Sequence, residues 1–172
     1  MQSRVILGIN PGARYLGYAL LQRSDLRDWG IKAVKGKWTP EKKKKIERIF
    51  QDFLDEFKPD YIAIKKLHPA RSSAELDTQI SKLKELCHIH KIPVYEYSIE
   101  YLEKMILSER LNKKNLVETL FEQYPVLFSE IEKERVIFSK IEKKRSSKKI
   151  YHTRMFEAVA LAHVCFNQLD NH

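Results

Sequence analysis

Three polar side chains stand where an apolar segment of the sequence ends or is interrupted. Asn10 ends the run VILGI and precedes Pro11 and Gly12, Lys65 follows the run YIAI, and Glu157 begins the apolar stretch EAVALAHVC. A carboxylate on such a stretch requires a partner if it is buried. Asn10 is also typical of a plain turn, and a lysine at a strand end is usually solvated. Each side chain therefore has an ordinary explanation when it is taken alone.

Other constellations offer weaker chemistry. His88 and His90 are two residues apart, which places them on different faces of a helix and disfavours metal binding. The chain has no recognisable Ser-His-Asp or Cys-His nucleophile pattern, P-loop or G-x-G-x-x-G. Cys87 and Cys165 are far apart, so we expect two buried thiols in a reducing compartment and neither a disulfide framework nor a zinc knuckle.

The elements that must position these side chains follow from hydrophobic periodicity. Apolar runs at 4–9 and 15–22, followed by one near 29–34, predict three antiparallel strands, and PDYIAI and IPVYEY predict two further strands at 59–64 and 92–97. Helical spacing predicts helices over 41–57, 73–90, 98–107, 112–124 and 153–169, the last capped by Thr153. This order predicts an α/β fold with a five-stranded mixed sheet and helices on both faces.

Length and charge limit the class of protein. The chain has 172 residues, 43% of them hydrophobic, which predicts a single domain over 1–172. A net charge of +9 makes nucleic acid the leading candidate partner, with a merely solvated basic surface as the alternative. No stretch reads as a signal segment or a membrane span, so we expect a cytoplasmic protein with no membrane partner.

Basic residues concentrate in two stretches. We interpret 126–152 as a basic insertion, partly helical to about Lys144 and then a mobile loop around Ser146 and Ser147. Its cations include Lys143, Lys144, Arg145, Lys148 and Lys149. The run Lys42–Lys45, at the start of an amphipathic helix, is predicted to be solvated surface.

Five blocks, in order over nearly the whole chain, carry a resemblance to a known family. They are GINPG with the following GYALL, KPDYIAIKK, IPVYEYSIEYLEK, KKNLVETL and EAVALAHVC. Together they resemble the RuvC-type Holliday-junction resolvases of the RNase H-like superfamily. The resemblance implies an RNase H-like fold and a homodimeric nuclease that cuts four-way DNA junctions with magnesium ions.

The same resemblance implies where the metal-binding acids of that family stand. Those places are the end of the first strand, the end of the central strand, and two positions one turn apart on the final helix. Here they hold Asn10, Lys65, Arg154 and Glu157, and Glu157 alone is acidic.

The departure has a direct electrostatic consequence. Two divalent ions require several anionic oxygens at one point. An ammonium about 4 Å from a divalent ion would be repelled by roughly 8 kcal/mol at an effective dielectric constant near 20. We therefore predict a pocket without a bound metal or other cofactor, in which Lys65 pairs with Glu157 and Asn10 hydrogen-bonds to one of them.

The resemblance also implies which residues face DNA. It points to Arg71, Lys104, Lys113 and Lys114, with Lys104 and Lys114 best matching basic positions near the scissile phosphate. His68 stands where the family presents an aromatic ring to an unpaired base. The cations of 126–152 would add sequence-independent, salt-dependent phosphate binding, or else form a solvated loop.

Three functions remain open at this stage. The favoured interpretation is a homodimeric RuvC-like protein that binds branched DNA and has lost metal-dependent cleavage. The second is an active junction endonuclease with a rearranged site that recruits other acids, such as Glu75 or Asp77. The third is a protein–protein interaction module built on the same fold.

Overall fold

The computed structural model describes residues 3–107, 116–127 and 145–172, of which 145–152 are described by backbone alone. The strands are β1 (Val5–Asn10), β2 (Tyr15–Gln22), β3 (Asp25–Ala33), β4 (Tyr61–Lys65) and β5 (Val94–Tyr97). The helices are α1 (Pro40–Phe57), α2 (Ala74–Ile89), α3 (Ile99–Leu107), α4 (Leu116–Gln123) and α5 (Arg145–Asp170). A single 3₁₀ turn covers Pro69–Arg71.

The five strands form one mixed sheet in the order β3-β2-β1-β4-β5. β2 pairs antiparallel with both β1 and β3, whereas β4 runs parallel to β1 and β5 parallel to β4. Strands β1, β3, β4 and β5 therefore all end at the same edge of the sheet. The predicted five-stranded mixed sheet is confirmed.

Helices cover both faces of this sheet. On one face α1 and α2 bury an apolar cluster that includes Phe50, Phe53 and Leu83. On the other face α3, α4 and α5 bury a second cluster around Leu102, Leu120 and Val159. β4 is buried on both faces because it lies between these two clusters, as its nearly continuous apolar run predicts.

The backbone of α5 lies directly on β1 and β2. A Cβ atom added to Gly8 would come within 2.2 Å of the Ala158 carbonyl oxygen, and one added to Gly17 within 2.0 Å of the Arg154 carbonyl oxygen. Two glycines on adjacent strands thus permit a closer approach than any side chain would allow. This contact brings Arg154 and Glu157 to the end of β1.

Two predicted boundaries are wrong. α5 begins at Arg145, so Thr153 lies inside the helix, and the loop expected around Ser146 and Ser147 is helical in its backbone. The intervening sequence has neither proline nor glycine, so nothing in it forces a break, and Lys and Arg favour helix. β3 begins earlier than expected, at Asp25, because the turn after β2 is only two residues long.

The other helices follow the prediction closely. Thr39 caps α1, Ser73 caps α2, and the Ser98 side chain accepts a hydrogen bond from the Tyr101 N–H at the start of α3. Asn112, the predicted cap of the next helix, lies outside the described residues, as do residues 128–144. Across the described part of the chain, no helix combines the length and the apolar character that a membrane span needs.

Candidate functional site

The ends of β1 and β4 place Asn10 and Lys65 side by side under α5. Ile9 is in register with Ile64, and the alternation of side chains turns the next residue of each strand toward α5. The Glu157 carboxylate oxygen Oε2 accepts hydrogen bonds from Lys65 Nζ at 2.7 Å and from Asn10 Nδ2 at 2.7 Å. The predicted pairing of these three side chains is confirmed.

Arg154 joins the same cluster from one helical turn earlier on α5. Its Nη1 donates to the Pro11 carbonyl oxygen at 3.2 Å and lies 3.4 Å from Asn10 Oδ1, while Asn10 Nδ2 lies 3.3 Å from the Arg154 carbonyl oxygen. The structure therefore brings together all four positions that sequence analysis selected. We call Asn10, Lys65, Arg154 and Glu157 the strand-end cluster.

The donor set of the strand-end cluster does not fit a pair of divalent ions. It contains one carboxylate and two cations, a formal charge of +1. Oxygen Oε2 of Glu157 already accepts hydrogen bonds from the Lys65 ammonium and the Asn10 amide. Within the described residues no group of three or more His, Cys, Asp or Glu side chains is arranged to hold a metal ion.

The acids considered for a rearranged site point elsewhere. Glu75 forms an ion pair with Lys42, and Asp77 accepts a hydrogen bond from the Ser72 hydroxyl. Among the described contacts, neither carboxylate bonds to a member of the strand-end cluster. Within the part of the chain that the structure describes, the strand-end cluster thus has a single carboxylate, that of Glu157.

Side chains from three helices hold the loop between β1 and β2. Arg154 donates to the Pro11 carbonyl, Gln79 Nε2 lies 3.4 Å from the Gly12 carbonyl oxygen, and Lys42 Nζ donates to the Ala13 carbonyl at 2.8 Å. Three consecutive carbonyls are thereby fixed from α5, α2 and α1. The loop that follows Asn10 is held on both sides of the sheet.

Lys42 is a residue that sequence reasoning missed. It was predicted to be solvated, but only 6% of it is exposed, and its ammonium also donates to the Gly36 carbonyl at 2.9 Å. The signal was present in the helical spacing, because Lys42 lies one turn before the buried Ile46 and so falls on the apolar face of α1. The run of four lysines concealed that position.

A groove of about 830 Å³ opens beside the strand-end cluster, at the carboxyl ends of β4 and β5. Ligands of parallel α/β sheets commonly bind at such ends. Its lining residues include Lys65, Lys66, His68, Arg71, Tyr97 and Tyr101. The groove is thus bordered by cations and aromatic rings, and also by two carboxylates, those of Glu96 and Glu100.

The aromatic wall of the groove is held from α5. The rings of Tyr97 and Tyr101 stack with centroids 5.7 Å apart, and the Tyr97 hydroxyl donates to Gln168 Oε1 at 2.7 Å. Burial, reinforced by the neighbouring Cys165, raises the pKa of Tyr97 above its usual range. The Tyr97 phenol therefore remains protonated and keeps its hydrogen bond to Gln168.

The predicted DNA-facing residues are only partly located. His68 and Arg71 are exposed at the groove, and Lys104 is exposed on α3 outside the groove lining. Lys113, Lys114, Lys143 and Lys144 lie outside the described residues. Arg145, Lys148 and Lys149 fall in the first turns of α5, where only the backbone is described.

Comparison with known proteins places this fold in a class. The solved structure of Thermus thermophilus RuvC matches with a TM-score of 0.68 and 16% identity, covering 97% of this chain and 96% of that one. The same protein in complex with a Holliday junction substrate matches with a TM-score of 0.64, 19% identity and coverage of 95% and 93%. The yeast mitochondrial Holliday junction resolvase matches with a TM-score of 0.65, 14% identity and coverage of 94% and 77%. The fold is RNase H-like, of the RuvC type.

Sequence comparison then defines the family. The family model described as "Crossover junction endodeoxyribonuclease RuvC" matches residues 6–134, three quarters of the chain. The RuvC of Cronobacter sakazakii is 25% identical over 128 residues, which cover 67% of this chain and 73% of that protein. The RuvC of Salmonella choleraesuis is 24% identical over the same shares. The chain belongs to the RuvC family.

Proposed function

We propose that this chain binds branched DNA such as four-way junctions and lacks metal-dependent endonuclease activity. The observation that carries this proposal is the strand-end cluster, in which Lys65 and Asn10 both donate to one oxygen of the Glu157 carboxylate. The RuvC relative solved with a Holliday junction supports junction binding by the fold. The cation content of the cluster supports the loss of metal chemistry.

The charge of the cluster determines what approaches it. Lys65 and Arg154 outnumber Glu157, so the cluster repels a divalent cation and attracts a phosphate. The adjoining groove adds the exposed cations Lys66 and Arg71. A DNA backbone can thus be held at this edge of the sheet by side chains alone, with a steep dependence on salt.

A homodimer and a single domain over 1–172 belong to the same proposal. A four-way junction has its own approximate two-fold symmetry, and a two-fold dimer presents the same surface twice. Two copies of the strand-end cluster would then face two junction strands that are related by the same two-fold axis.

The test is a binding titration of labelled four-way junction and linear duplex of equal length, beside a cleavage assay in magnesium. We expect tighter binding to the junction and no incision. Equal affinity for both DNAs would overturn the junction claim, and symmetric incision would overturn the loss of catalysis. Failure to bind any DNA at low salt would instead favour the protein–protein interaction module.

An active endonuclease is the second candidate, and the printed names of the relatives favour it. Glu157→Gln separates the two, because this variant removes the cluster's carboxylate and keeps its size. If the chain is an active enzyme, this variant should lose the incision that the wild type shows. If the chain is a binding protein, neither form should incise, and the variant should keep its junction affinity within a few-fold. Glu103→Gln, at an exposed position of α3 outside the groove lining, is the control for a general effect of removing a negative charge.

A further inference from the structure

A second basic surface lies on the opposite side of the β1–β2 loop from the groove. It consists of Trp38 and five exposed or largely exposed cations, namely Arg14, Lys32, Lys35, Lys37 and Lys43. We call these six residues the β3–α1 surface. Trp38 is one of the exposed large hydrophobic residues of the described chain, at 38% exposure.

The cations of the β3–α1 surface are not neutralised by carboxylates within the described residues. None of the five forms an ion pair with a carboxylate in the part of the chain that the structure describes. Two of them lie near tyrosine rings instead: Lys35 Nζ is 5.1 Å from the Tyr15 ring centroid and Lys32 Nζ is 5.7 Å from that of Tyr18. A ring positions an ammonium without neutralising it.

The β3–α1 surface is tied to the strand-end cluster by backbone contacts. The Val34 N–H donates to the Arg14 carbonyl at 2.8 Å, and the buried Lys42 ammonium joins the Gly36 and Ala13 carbonyls. The segment that carries Lys35, Lys37 and Trp38 is therefore fixed against the loop that follows Asn10. These hydrogen bonds therefore fix the position of the β3–α1 surface relative to the strand-end cluster.

Sheet topology places both regions along one edge. The strand order β3-β2-β1-β4-β5 puts the groove at β4 and β5, the strand-end cluster at β1, and the β3–α1 surface at β3. Five strands about 4.8 Å apart make this edge roughly 19 Å long. Arg14 is four positions after Asn10, at most about 14 Å of chain, which corresponds to roughly four base pairs of duplex.

We propose that the β3–α1 surface binds the phosphate backbone of a duplex arm that leaves the strand-end cluster in the direction from β1 to β3. The lysines and Arg14 contact phosphates, and Trp38 supplies an apolar face against the adjoining sugars. This inference rests on the proposed DNA-binding function and extends it to a surface outside the groove. Such contacts are independent of base sequence.

Charge removal tests this surface against a matched control. The test variant is Lys35→Gln, Lys37→Gln and Lys43→Gln together. The control is Arg23→Asn, Lys58→Asn and Lys91→Asn, which removes the same charge at the opposite edge of the sheet. All three control residues are exposed and have φ between 45° and 58°, a conformation that asparagine tolerates.

The readout is the junction affinity as a function of salt concentration. Loss of three phosphate contacts should lower the slope of log K against log salt by about 2 to 3 and weaken binding by at least about tenfold near 0.1 M salt. The control should leave the slope within about one. If wild type binds junctions and both variants behave alike, this inference is overturned while the proposed function stands. Absence of binding by wild type overturns both.

Tryptophan fluorescence gives a second readout that does not depend on affinity. Trp29→Phe leaves Trp38 as the sole tryptophan, because the chain has two. Binding of a saturating junction should change the intensity or wavelength of its emission, and Trp38→Phe, with Trp29 left, should show a much smaller change. Unchanged Trp38 emission at saturation would overturn the contact.

Discussion

Two lysine–glutamate pairs flank the β1–β2 loop, one on each face of the sheet. Lys42 and Glu75 pair on the α1/α2 side, with side-chain exposures of 5% and 19%. Lys65 and Glu157 pair on the α5 side at 2.7 Å, with exposures of 15% and 10%. The two pairs have the same chemistry and similar burial, but they differ in what else they contact.

The Lys42 pair supports the backbone. Its ammonium also holds the Ala13 and Gly36 carbonyls, so it joins α1, α2 and two loops. In the Lys65 pair the ammonium contacts the Glu157 carboxylate, and that carboxylate is shared with the Asn10 amide. The first pair has the contacts of a structural support, whereas the second concentrates side-chain charge at a strand end.

The role of a buried ion pair therefore depends on the other groups that its side chains contact. Replacing a whole buried pair by apolar residues is often neutral, while removing one partner is costly. Backbone carbonyls cannot be removed with the partner, so a lysine that holds them is harder to replace. Removing one lysine should therefore cost more stability at Lys42 than at Lys65.

The largest effect is expected at Lys42. Lys42→Met leaves the Glu75 carboxylate and two carbonyls without their donor, and should lower the free energy of unfolding by about 3 to 5 kcal/mol. Urea denaturation followed by circular dichroism measures the change. Lys43→Met, at the exposed neighbouring position, should stay within about 0.5 kcal/mol. A loss below about 1 kcal/mol in Lys42→Met would remove the distinction between the two pairs.

A smaller loss is expected at Lys65. Lys65→Met should cost about 2 to 3 kcal/mol, since Glu157 then keeps the Asn10 amide but loses its cation. The double variant with Glu157→Leu should recover part of that loss, because no buried charge is left. The corresponding double variant of Lys42 and Glu75 should recover less, as the carbonyls remain. Equal recovery in the two cycles would contradict the comparison.

Much of the strand-end cluster could be predicted from the sequence. Asn10 and Lys65 end strands whose apolar runs are clear, and Glu157 is the acid on an apolar helix, so local patterns located all three. The strand order that makes them neighbours came from the resemblance, which the family match supports.

What the sequence did not reveal depends on contacts distant along the chain. Lys42 lies 29 residues from the Ala13 carbonyl that it holds, and a run of four lysines gave no sign that one of them is buried. Most members of the β3–α1 surface lie within residues 32–43, and what the sequence did not reveal is that they share an edge of the sheet with Arg14 and the strand-end cluster. The start of α5 was misplaced because Thr153 carries a local capping signal that the continuing helix overrides.

We expect that substitutions in the strand-end cluster can convert it toward a metal site. Asn10→Asp, Lys65→Glu and Arg154→Asp together place four carboxylates at the strand ends. Magnesium at ten times its dissociation constant should then stabilise the triple variant by about 1.4 kcal/mol. Thermal unfolding with and without magnesium measures this, and wild type should show no shift. A shift of equal size in wild type would contradict the charge argument.

The smallest effect compares the two cores through their cysteines. Burial raises the pKa of both Cys87, on the α2 side, and Cys165, on the α5 side, from 9.0 to about 11. A raised folded-state pKa means that the unfolded chain loses these protons first, so the stabilisation is complete below pH 9 and disappears as the pH rises through 11. Each thiol should therefore lower the unfolding free energy by about 0.8 kcal/mol between pH 7 and 9.5.

Cys87→Ala and Cys165→Ala should each remove the contribution of one thiol to the loss of unfolding free energy between pH 7 and 9.5. This holds whatever stability the substitution itself costs at pH 7. Urea midpoints measured at pH 7 and 9.5 give the two slopes. The neighbouring Tyr97 hydroxyl opposes the effect of burial on the pKa of Cys165, so the share of Cys165 should be the smaller if the shares differ. A larger share at Cys165 would show that Tyr97 does not offset the effect of burial at this thiol.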